Sequence, residues 1–146
     1  MAGNIKLSEE YYFTIFSRFR NNVPRIKTFL SEVQQGTVCK TIWYRSEVGD
    51  TQEGTRDLKS VFGKAGMFTN PKPIRLIERI MDISLKSKNA IILDFFAGSG
   101  TTGHAVMKLN ATDNGNRRFI LCTNNENNIC REVTYERIKR VIEKEN

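Results

Sequence analysis

The chain has 146 residues, of which 39% are hydrophobic, and it carries a net charge of +7 at pH 7. This length is enough for one compact core of modest size, and two full domains are not expected. Three cysteines without metal-type spacing and a single histidine argue against a zinc site, and no apolar run approaches the roughly 20 residues of a membrane span, so we expect a soluble cytoplasmic protein.

Residues 1–66 have an aromatic-rich, mixed pattern. β-Branched and aromatic residues dominate three stretches, which are predicted as short strands: 11–19, 25–30 and 40–45. The polar segment 46–55 contains two glycines and no periodicity, so it is predicted as an exposed loop. A short helix is expected next, with Thr55 as its N-cap and Gly63 as its stop.

Residues 67–146 have a more regular pattern that begins with a helix near Pro73. Four residues are predicted to share one face of this helix, flanked by Ile74 and Leu76: Ile77, Ile80, Met81 and Ser84. The helix is expected to end by residue 87. An apolar run over 91–93 then predicts a strand that helices cover on both faces.

The remaining elements alternate in type. A helix is expected from about residue 102 to residue 109, then a return loop over 111–118 and a second buried strand over 119–123. A helical stripe predicts the last helix: Thr134, Ile138, Val141 and Ile142. The order helix, strand, helix, strand, helix predicts an α/β fold with a right-handed parallel βαβ unit.

The sequence "AGSGTTG" at 97–103 follows the first predicted strand. Ligands of open parallel sheets bind at the carboxyl ends of the strands, where this turn is predicted to lie. Gly98 and Gly100 allow positive φ and close approach of a ligand, while Ser99, Thr101 and Thr102 are small and offer donors at a helix start. The alternative is a tight turn that uses glycine for packing alone.

Gly98, Gly100 and Gly103 also match the Gly-x-Gly-x-x-Gly pattern of dinucleotide sites. Asp94, however, is expected at the end of the strand, beside the ligand. A carboxylate there repels a pyrophosphate but suits a cationic group such as the sulfonium of S-adenosylmethionine. The alternative for Asp94 is a capping role in the turn.

Three stretches occur in order between residues 68 and 142: "FTNPKPIRLIERI", "LDFFAGSGTTGHAV" and "NRRFILCTNNENNICREVTYERIKRVI". They resemble the C-terminal part of the modification subunit of type III restriction-modification systems, a β-group DNA adenine-N6 methyltransferase. The resemblance covers roughly residues 25–146. It implies a partial Rossmann-like methyltransferase sheet with an N-terminal β-rich segment, and S-adenosylmethionine as the cofactor.

The resemblance also implies the cofactor-binding residues. The first motif is expected to wrap the methionine part of the cofactor: Asp94, Phe95, Phe96, Ala97, Gly98, Ser99, Gly100 and Thr101. The neighbouring motif is expected to help hold the cofactor's carboxylate through its helix start and its lysine: Phe68, Asn70, Pro71, Lys72 and Pro73. The alternative for Lys72 is a solvated surface lysine.

The acid that bonds the ribose in this family normally ends the second strand. Here Thr123 or Asn124 takes that position, and the first acid is Glu126. Glu126 is therefore expected to bond the ribose, and a capping role for Asn125 or Glu126 is the alternative.

Members of this family hold the flipped target base with an Asp/Asn-Pro-Pro-Tyr/Trp motif, and no such motif occurs in this chain. The resemblance therefore implies a fragment that retains the cofactor motifs, lacks catalytic residues and has little or no activity alone. The alternative is a non-catalytic DNA-binding or complementing subunit that works with a separate catalytic chain. The short sheet predicts an exposed edge and hence a homodimer or a catalytic-half partner, and the resemblance adds DNA and a restriction subunit.

Two parts are expected on this basis: residues 1–66 as the end of a target-recognition region, and residues 67–146 as a cofactor-binding βαβ half-domain. Basic and aromatic residues interleave in the first part and are candidates for phosphate contacts and base stacking: Arg18, Arg20, Arg25, Lys27, Lys40 and Arg45, with Phe16, Phe19, Phe29, Trp43 and Tyr44. The alternative is that these aromatic residues form a core.

Overall fold

The computed structural model describes residues 3–8, 11–15 and 38–145 and contains two compact units, Met1–Val38 and Cys39–Asn146. In the first unit, β1 (Gly3–Ser8) pairs with β2 (Tyr11–Ile15) in an antiparallel ribbon. Strand β2 agrees with the beginning of the strand predicted over 11–19. The strand predicted over 25–30 lies outside the described residues, so the β-rich character of the N-terminal segment stays a prediction.

The second unit begins with two helices, in a region where a strand, a loop and a short helix were predicted. Residues 40–44 form no strand, and helix α1 (Arg45–Val48) and the start of helix α2 (Thr51–Phe62) occupy the predicted loop over 46–55, so both predictions are wrong. The helix predicted to end at Gly63 is present as the second half of α2 and begins earlier than expected. Asp50 is the N-cap of α2 instead of Thr55, because its Oδ1 accepts the Glu53 amide at 2.9 Å. The stop at Gly63 is confirmed by its left-handed φ of 74°.

The physical reason for α2 is its buried face. Four residues at helical spacing are buried: Gly54, Leu58, Val61 and Phe62. The polar residues that resembled a loop form the exposed face of this amphipathic helix. Gly54 allows α2 to approach the chain at Pro71, because a Cβ on Gly54 would collide with the Pro71 carbonyl.

The remaining elements confirm the predicted order and the parallel βαβ unit. They are α3 (Ile74–Ser84), β3 (Ile91–Asp94), α4 (Thr101–Asp113), β4 (Arg118–Leu121) and α5 (Glu136–Glu145). Strands β3 and β4 pair in parallel, with Ile91 opposite Arg118 and Asp94 opposite Leu121. A 3-10 turn (Glu126–Asn128) and a π-helix (Ile129–Tyr135) connect β4 to α5, and neither was predicted.

The core lies between the sheet and the helices on one side. One cluster joins α3 and α4 through Ile74, Met81, Ala105 and Val106, with Ile92 and Phe119 of the sheet against it. The buried face of α3 thus includes Ile74, Ile77 and Met81, whereas the predicted members Ile80 and Ser84 are exposed. A second cluster joins α2 to α5.

The other face of the sheet is open, and the prediction that helices cover both faces is wrong for the described residues. Ile91 is 56% exposed, Leu93 is 49% exposed and Ile120 is 52% exposed. Side chains along each strand therefore alternate between the packed face and the open face of the sheet. A continuous apolar run does not by itself prove that both faces are buried. Among helices in the described part of the chain, none is long and apolar enough to cross a membrane.

Candidate ligand-binding site

The glycine turn, residues 95–100, joins β3 to α4 at the carboxyl ends of both strands. The Ala97 amide donates to the Cys122 carbonyl at 3.0 Å, and the Gly100 amide donates to the Ala97 carbonyl at 2.7 Å. Gly98 has a φ of 50° and Gly100 a φ of 74°, a region that favours glycine. Gly100 is the N-cap of α4, so the turn leads directly into a helix N-terminus.

Asp94 holds this turn from the end of β3. Its Oδ1 accepts the Phe96 amide at 2.9 Å, and its Oδ2 accepts the Thr102 hydroxyl at 2.6 Å. This geometry is the capping role that the sequence left open. Each carboxylate oxygen can accept more than one hydrogen bond, so Asp94 keeps acceptor capacity toward a ligand.

A first cavity of about 310 Å³ opens beside the turn. Its lining comes from the turn and from the segment after β4: Phe95, Phe96, Gly98, Thr123, Asn124 and Ile129. Phe96 is 92% exposed, so its ring presents a free apolar face. Cavities of this size accommodate small molecules.

A second cavity of about 350 Å³ shares Asn124 and Ile129 with the first. Its lining also includes Phe68, from the segment before α3, and Glu126, from the 3-10 turn. Phe68 Cζ lies 3.2 Å from the position that a Cβ on Gly98 would occupy. Because Gly98 has no side chain, the space between it and Phe68 stays open, and the two cavities approach each other there.

The segment "NPKP" supports the turn through its backbone. The Lys72 carbonyl accepts the Thr101 hydroxyl at 3.2 Å, and Pro73 is the N-cap residue of α3. Asp57 Oδ2 accepts the Ile74 amide at 3.1 Å and so satisfies one of the free N–H groups of that helix. Asn70 and Lys72 are exposed and line neither cavity.

The predicted cofactor-binding residues at this site fall into three groups. Phe95, Phe96 and Gly98 line the first cavity, and Phe68 and Glu126 line the second. Four others are buried beneath the turn: Ala97, Ser99, Gly100 and Thr101. The 3.4 Å hydrogen bond from Asn124 Nδ2 to Glu126 Oε2 places the amide and the carboxylate side by side.

Sequence reasoning missed the layer below the turn. Arg137 of α5 is 0% exposed, and its Nη1 donates to Thr101 Oγ1 at 2.9 Å and to the Ser99 carbonyl at 3.2 Å. Thr134 Oγ1 donates to the Gly98 carbonyl at 2.6 Å. The signal that could have found Arg137 was its helical spacing from the predicted stripe members Thr134 and Val141, which places an arginine on a buried face.

Burial and charge shift the ionisation of this layer. Burial, together with the nearby Arg137 cation, lowers the pKa of His104 to about 4. Burial also lowers the pKa of Arg137, to about 10, so that the guanidinium remains charged at neutral pH. Because Arg137 Nε donates to His104 Nδ1 at 3.3 Å, the neutral imidazole carries its proton on Nε2.

The candidate DNA-contacting residues of the first part are only partly described. Lys40 Nζ pairs with Glu47 Oε1 at 2.8 Å, and Arg45 Nε pairs with Asp50 Oδ2 at 2.8 Å. Tyr44 is 64% exposed. The candidates between 16 and 29 lie outside the described residues.

Comparison with known proteins places these features in context. The sequence profile described as DNA methylase matches residues 6–135. The chain is 41% identical over 130 residues to the type III restriction-modification enzyme StyLTI Mod subunit of Salmonella typhimurium, covering 86% of this chain and 19% of that protein. It is 38% identical over 127 residues to the EcoPI Mod subunit of Escherichia phage P1, covering 85% of this chain and 19% of that protein.

A relative of another class is also similar. The chain is 38% identical over 106 residues to the type II methyltransferase M.KpnI of Klebsiella pneumoniae, covering 73% of this chain and 24% of that protein. This chain therefore spans about a fifth of the length of the two Mod subunits, 19% in each case.

Proposed function

The chain belongs to the DNA methylase family, and from this we propose that it forms the S-adenosylmethionine-binding part of a type III restriction-modification DNA adenine-N6 methyltransferase. The βαβ unit of β3, α4 and β4 then belongs to a Rossmann-like methyltransferase sheet. Residues 67–146 act as the cofactor-binding half-domain, and residues 1–66 as the end of a target-recognition region.

The observation that carries this proposal is the pair of adjoining cavities at the carboxyl ends of two parallel strands. The first offers the exposed ring of Phe96, a surface on which a purine can stack. The second offers the Glu126 carboxylate, which can accept hydrogen bonds from ribose hydroxyls. The small residues at the turn leave room for the backbone of a ligand that reaches both cavities.

S-Adenosylmethionine supplies a methyl group on a cationic sulfur, and the residues present fit such a ligand. The carboxylate of Asp94 lies at the turn and disfavours an anionic pyrophosphate, the group that a nicotinamide dinucleotide would place there. Phe95, Ala97, Gly98, Ser99, Gly100 and Thr101 shape the turn around the ligand. Phe68 closes the side of the second cavity.

We assign the cofactor's carboxylate to the start of α3. In this assignment, Asn70 and Pro73 shape the helix start, and the exposed Lys72 ammonium has the freedom to reach the ligand. Lys72 is therefore the member of the proposed site whose side chain must change position on binding.

The proposed DNA substrate needs a second set of residues. Amino methylation of a base in DNA requires the base to be flipped and held, and the chain contains no Asp/Asn-Pro-Pro-Tyr/Trp sequence for this. We therefore propose that a catalytic half holds the base, that a restriction subunit joins the complete assembly, and that this chain alone has little or no activity.

The open face of the sheet is the proposed contact for that catalytic half. Ile91, Leu93 and Ile120 form an exposed apolar surface, and β3 and β4 each have an unpaired edge within the described residues. Such a face and such edges favour a further strand or chain. A homodimer would cover the same surface. A single monomer mass in light scattering, with no change on adding the catalytic half, would contradict this contact.

Calorimetric titration tests the cofactor assignment. The chain is expected to bind S-adenosylmethionine and to give no heat with NAD. Binding of NAD alone would favour an oxidoreductase site, and binding of neither ligand would contradict the proposal.

A mixing experiment tests the reaction. Addition of a catalytic half that carries Asp-Pro-Pro-Tyr should produce methyl transfer to DNA adenine, measured with a radiolabelled methyl group. DNA binding without any transfer would favour instead a non-catalytic DNA-binding or complementing subunit.

A further inference from the structure

Arg137 is a buried cation whose hydrogen bonds are directed at the glycine turn. Its Nη1 lies 2.9 Å from Thr101 Oγ1, 3.2 Å from the Ser99 carbonyl oxygen and 3.3 Å from Ser99 Oγ. Among the described residues Arg137 forms no direct ion pair, although the Asp57 carboxylate acts on it through space, and its Nη2 is buried without a hydrogen-bond partner. An unpaired buried guanidinium loses much of its hydration energy, so a hydrophobic residue in its place would often be as stable or more stable.

Thr134 reaches the same turn from the π-helix. Its hydroxyl donates to the Gly98 carbonyl at 2.6 Å, whereas the carbonyl of Ile129 lies farther away, at 3.3 Å. Because a hydroxyl has one proton, the shorter contact to the turn takes it. The wider π-helical turn is frequent at functional sites, and here it contains Ile129 and Val133, which line the second cavity.

We infer that Thr134 and Arg137 are positioning residues that hold the glycine turn in its cofactor-binding conformation. This inference rests on the proposed function of the turn. The pair, called the clamp below, fixes the Gly98 carbonyl from one side and the Ser99 and Thr101 oxygens from below. The positive φ of Gly98 is then held by tertiary contacts, and the ligand meets a turn that is already ordered.

The clamp also connects the turn to both cavities. The segment that carries Thr134 and Arg137 begins directly after the 3-10 turn of Glu126, which lines the second cavity. The clamp contacts Gly98, Ser99 and Thr101 and not Phe96. A loosened clamp therefore weakens ligands whose amino-acid part lies at Gly98 more than nucleosides that contact the turn only at Phe96. This difference separates positioning from a general effect on folding.

The test compares variants of the full chain. Thr134→Val removes the hydroxyl and keeps the shape of the side chain. Thr134→Ser keeps the hydroxyl and removes the methyl group, and Arg137→Met removes the guanidinium. Arg131→Met is the matched control, since Arg131 is exposed on the same π-helix. Calorimetry gives the Kd of S-adenosylhomocysteine, which carries the amino-acid part proposed to lie near Gly98, and of adenosine, which lacks it.

We expect Thr134→Val to weaken the binding of S-adenosylhomocysteine about tenfold, the effect of one lost hydrogen bond, and Arg137→Met, which loses several, to weaken it at least as much. Both variants should leave the Kd of adenosine within about threefold. Thr134→Ser and Arg131→Met should match the wild type. Equal losses for both ligands, or none for a folded Thr134→Val, would overturn the inference. Thr134→Val decides the matter if Arg137→Met does not fold.

Amide hydrogen exchange keeps the inference testable even if the wild type binds no nucleoside, an outcome that would refute the proposed function alone. The Gly100 amide is bonded to the Ala97 carbonyl inside the turn. Its exchange should be about tenfold faster in Thr134→Val than in Thr134→Ser, at equal global stability. An unchanged rate would overturn the clamp without reference to any ligand.

Discussion

Lowering the pH from 7 to 5 should destabilise the protein through one residue, His104. Burial and the Arg137 cation lower its pKa from 6.5 to about 4. The folded pKa lies below the unfolded value, so the unfolded state takes up a proton at a higher pH than the folded state does. The contribution of neutral His104 to the free energy of unfolding is therefore complete above pH 6.5, and it is lost as the pH falls toward 4.

The magnitude follows from the shift. At 1.36 kcal/mol per pKa unit, a change from 6.5 to about 4 corresponds to about 3 kcal/mol in total. About 2 kcal/mol of it is lost between pH 7 and pH 5. Hydrogen bonds from neighbouring cations lower the pKa of Glu47, Glu53 and Glu136 below 4.5, so these exposed carboxylates add only a small loss as the pH approaches 5. Arg117 lowers the pKa of Asp113 to about 2, and the contribution of Asp113 is lost only as the pH falls below about 3.8.

Urea denaturation at pH 7 and pH 5 measures the difference. His104→Asn is the control, because its amide oxygen can replace Nδ1 as the acceptor for Arg137 and does not titrate. Between pH 7 and pH 5, the free energy of unfolding of His104→Asn should fall by less than about 0.5 kcal/mol. A wild type that is equally stable at both pH values, or a variant that loses as much as the wild type, would refute the proposed neutral His104.

Three substitutions test other parts of the structure. Gly54→Ala should destabilise the protein by about 3 kcal/mol in thermal unfolding, because the new Cβ collides with the Pro71 carbonyl; a gain in stability would contradict the close approach of α2. Met81→Ala empties a site that is 3% exposed and should lower the free energy of unfolding by about 2–5 kcal/mol in urea, and a loss below 1 would contradict the α3–α4 core. Asp94→Asn should lower stability by about 1–3 kcal/mol, since it weakens the charged hydrogen bond from Thr102, and should reduce S-adenosylmethionine binding in calorimetry; unchanged values would show that this carboxylate is dispensable.

The glycine turn could be predicted from the sequence because its cause is local. An apolar strand followed by Gly98 and Gly100 allows few conformations, and the order of helices and strands follows from the periodicity of each segment. The family was recognised from the same residues, and the DNA methylase profile confirms it.

Helix α1 and the first turn of α2 were mispredicted because their evidence is not local, whereas the second half of α2 and its stop at Gly63 were predicted. Helix α2 has an exposed face of polar residues, and its burial depends on Gly54 meeting Pro71 in tertiary structure. The capping bond of Asp50 to the Glu53 amide was a readable signal, yet the glycines on either side of it favoured a loop. Propensity is a weak guide where tertiary packing decides.

The layer under the turn was missed for an electrostatic reason. An arginine in an amphipathic helix is normally solvated, so the helical spacing of Arg137 from Thr134 and Val141 was not enough to predict its buried bonds to Ser99 and Thr101. The π-helix that brings Thr134 to Gly98 has no periodicity that a window of residues can detect. The open face of Ile91 and Leu93 was missed because apolar strands look alike whether or not both faces are packed.

A crystal structure with S-adenosylmethionine or S-adenosylhomocysteine tests the site most directly. We predict the ligand across the two cavities, with its base beside Phe96, its ribose at Glu126 and its amino-acid part at the turn near Gly98. Both cavities empty at saturating ligand, or the nucleoside bound elsewhere on the chain, would contradict the account.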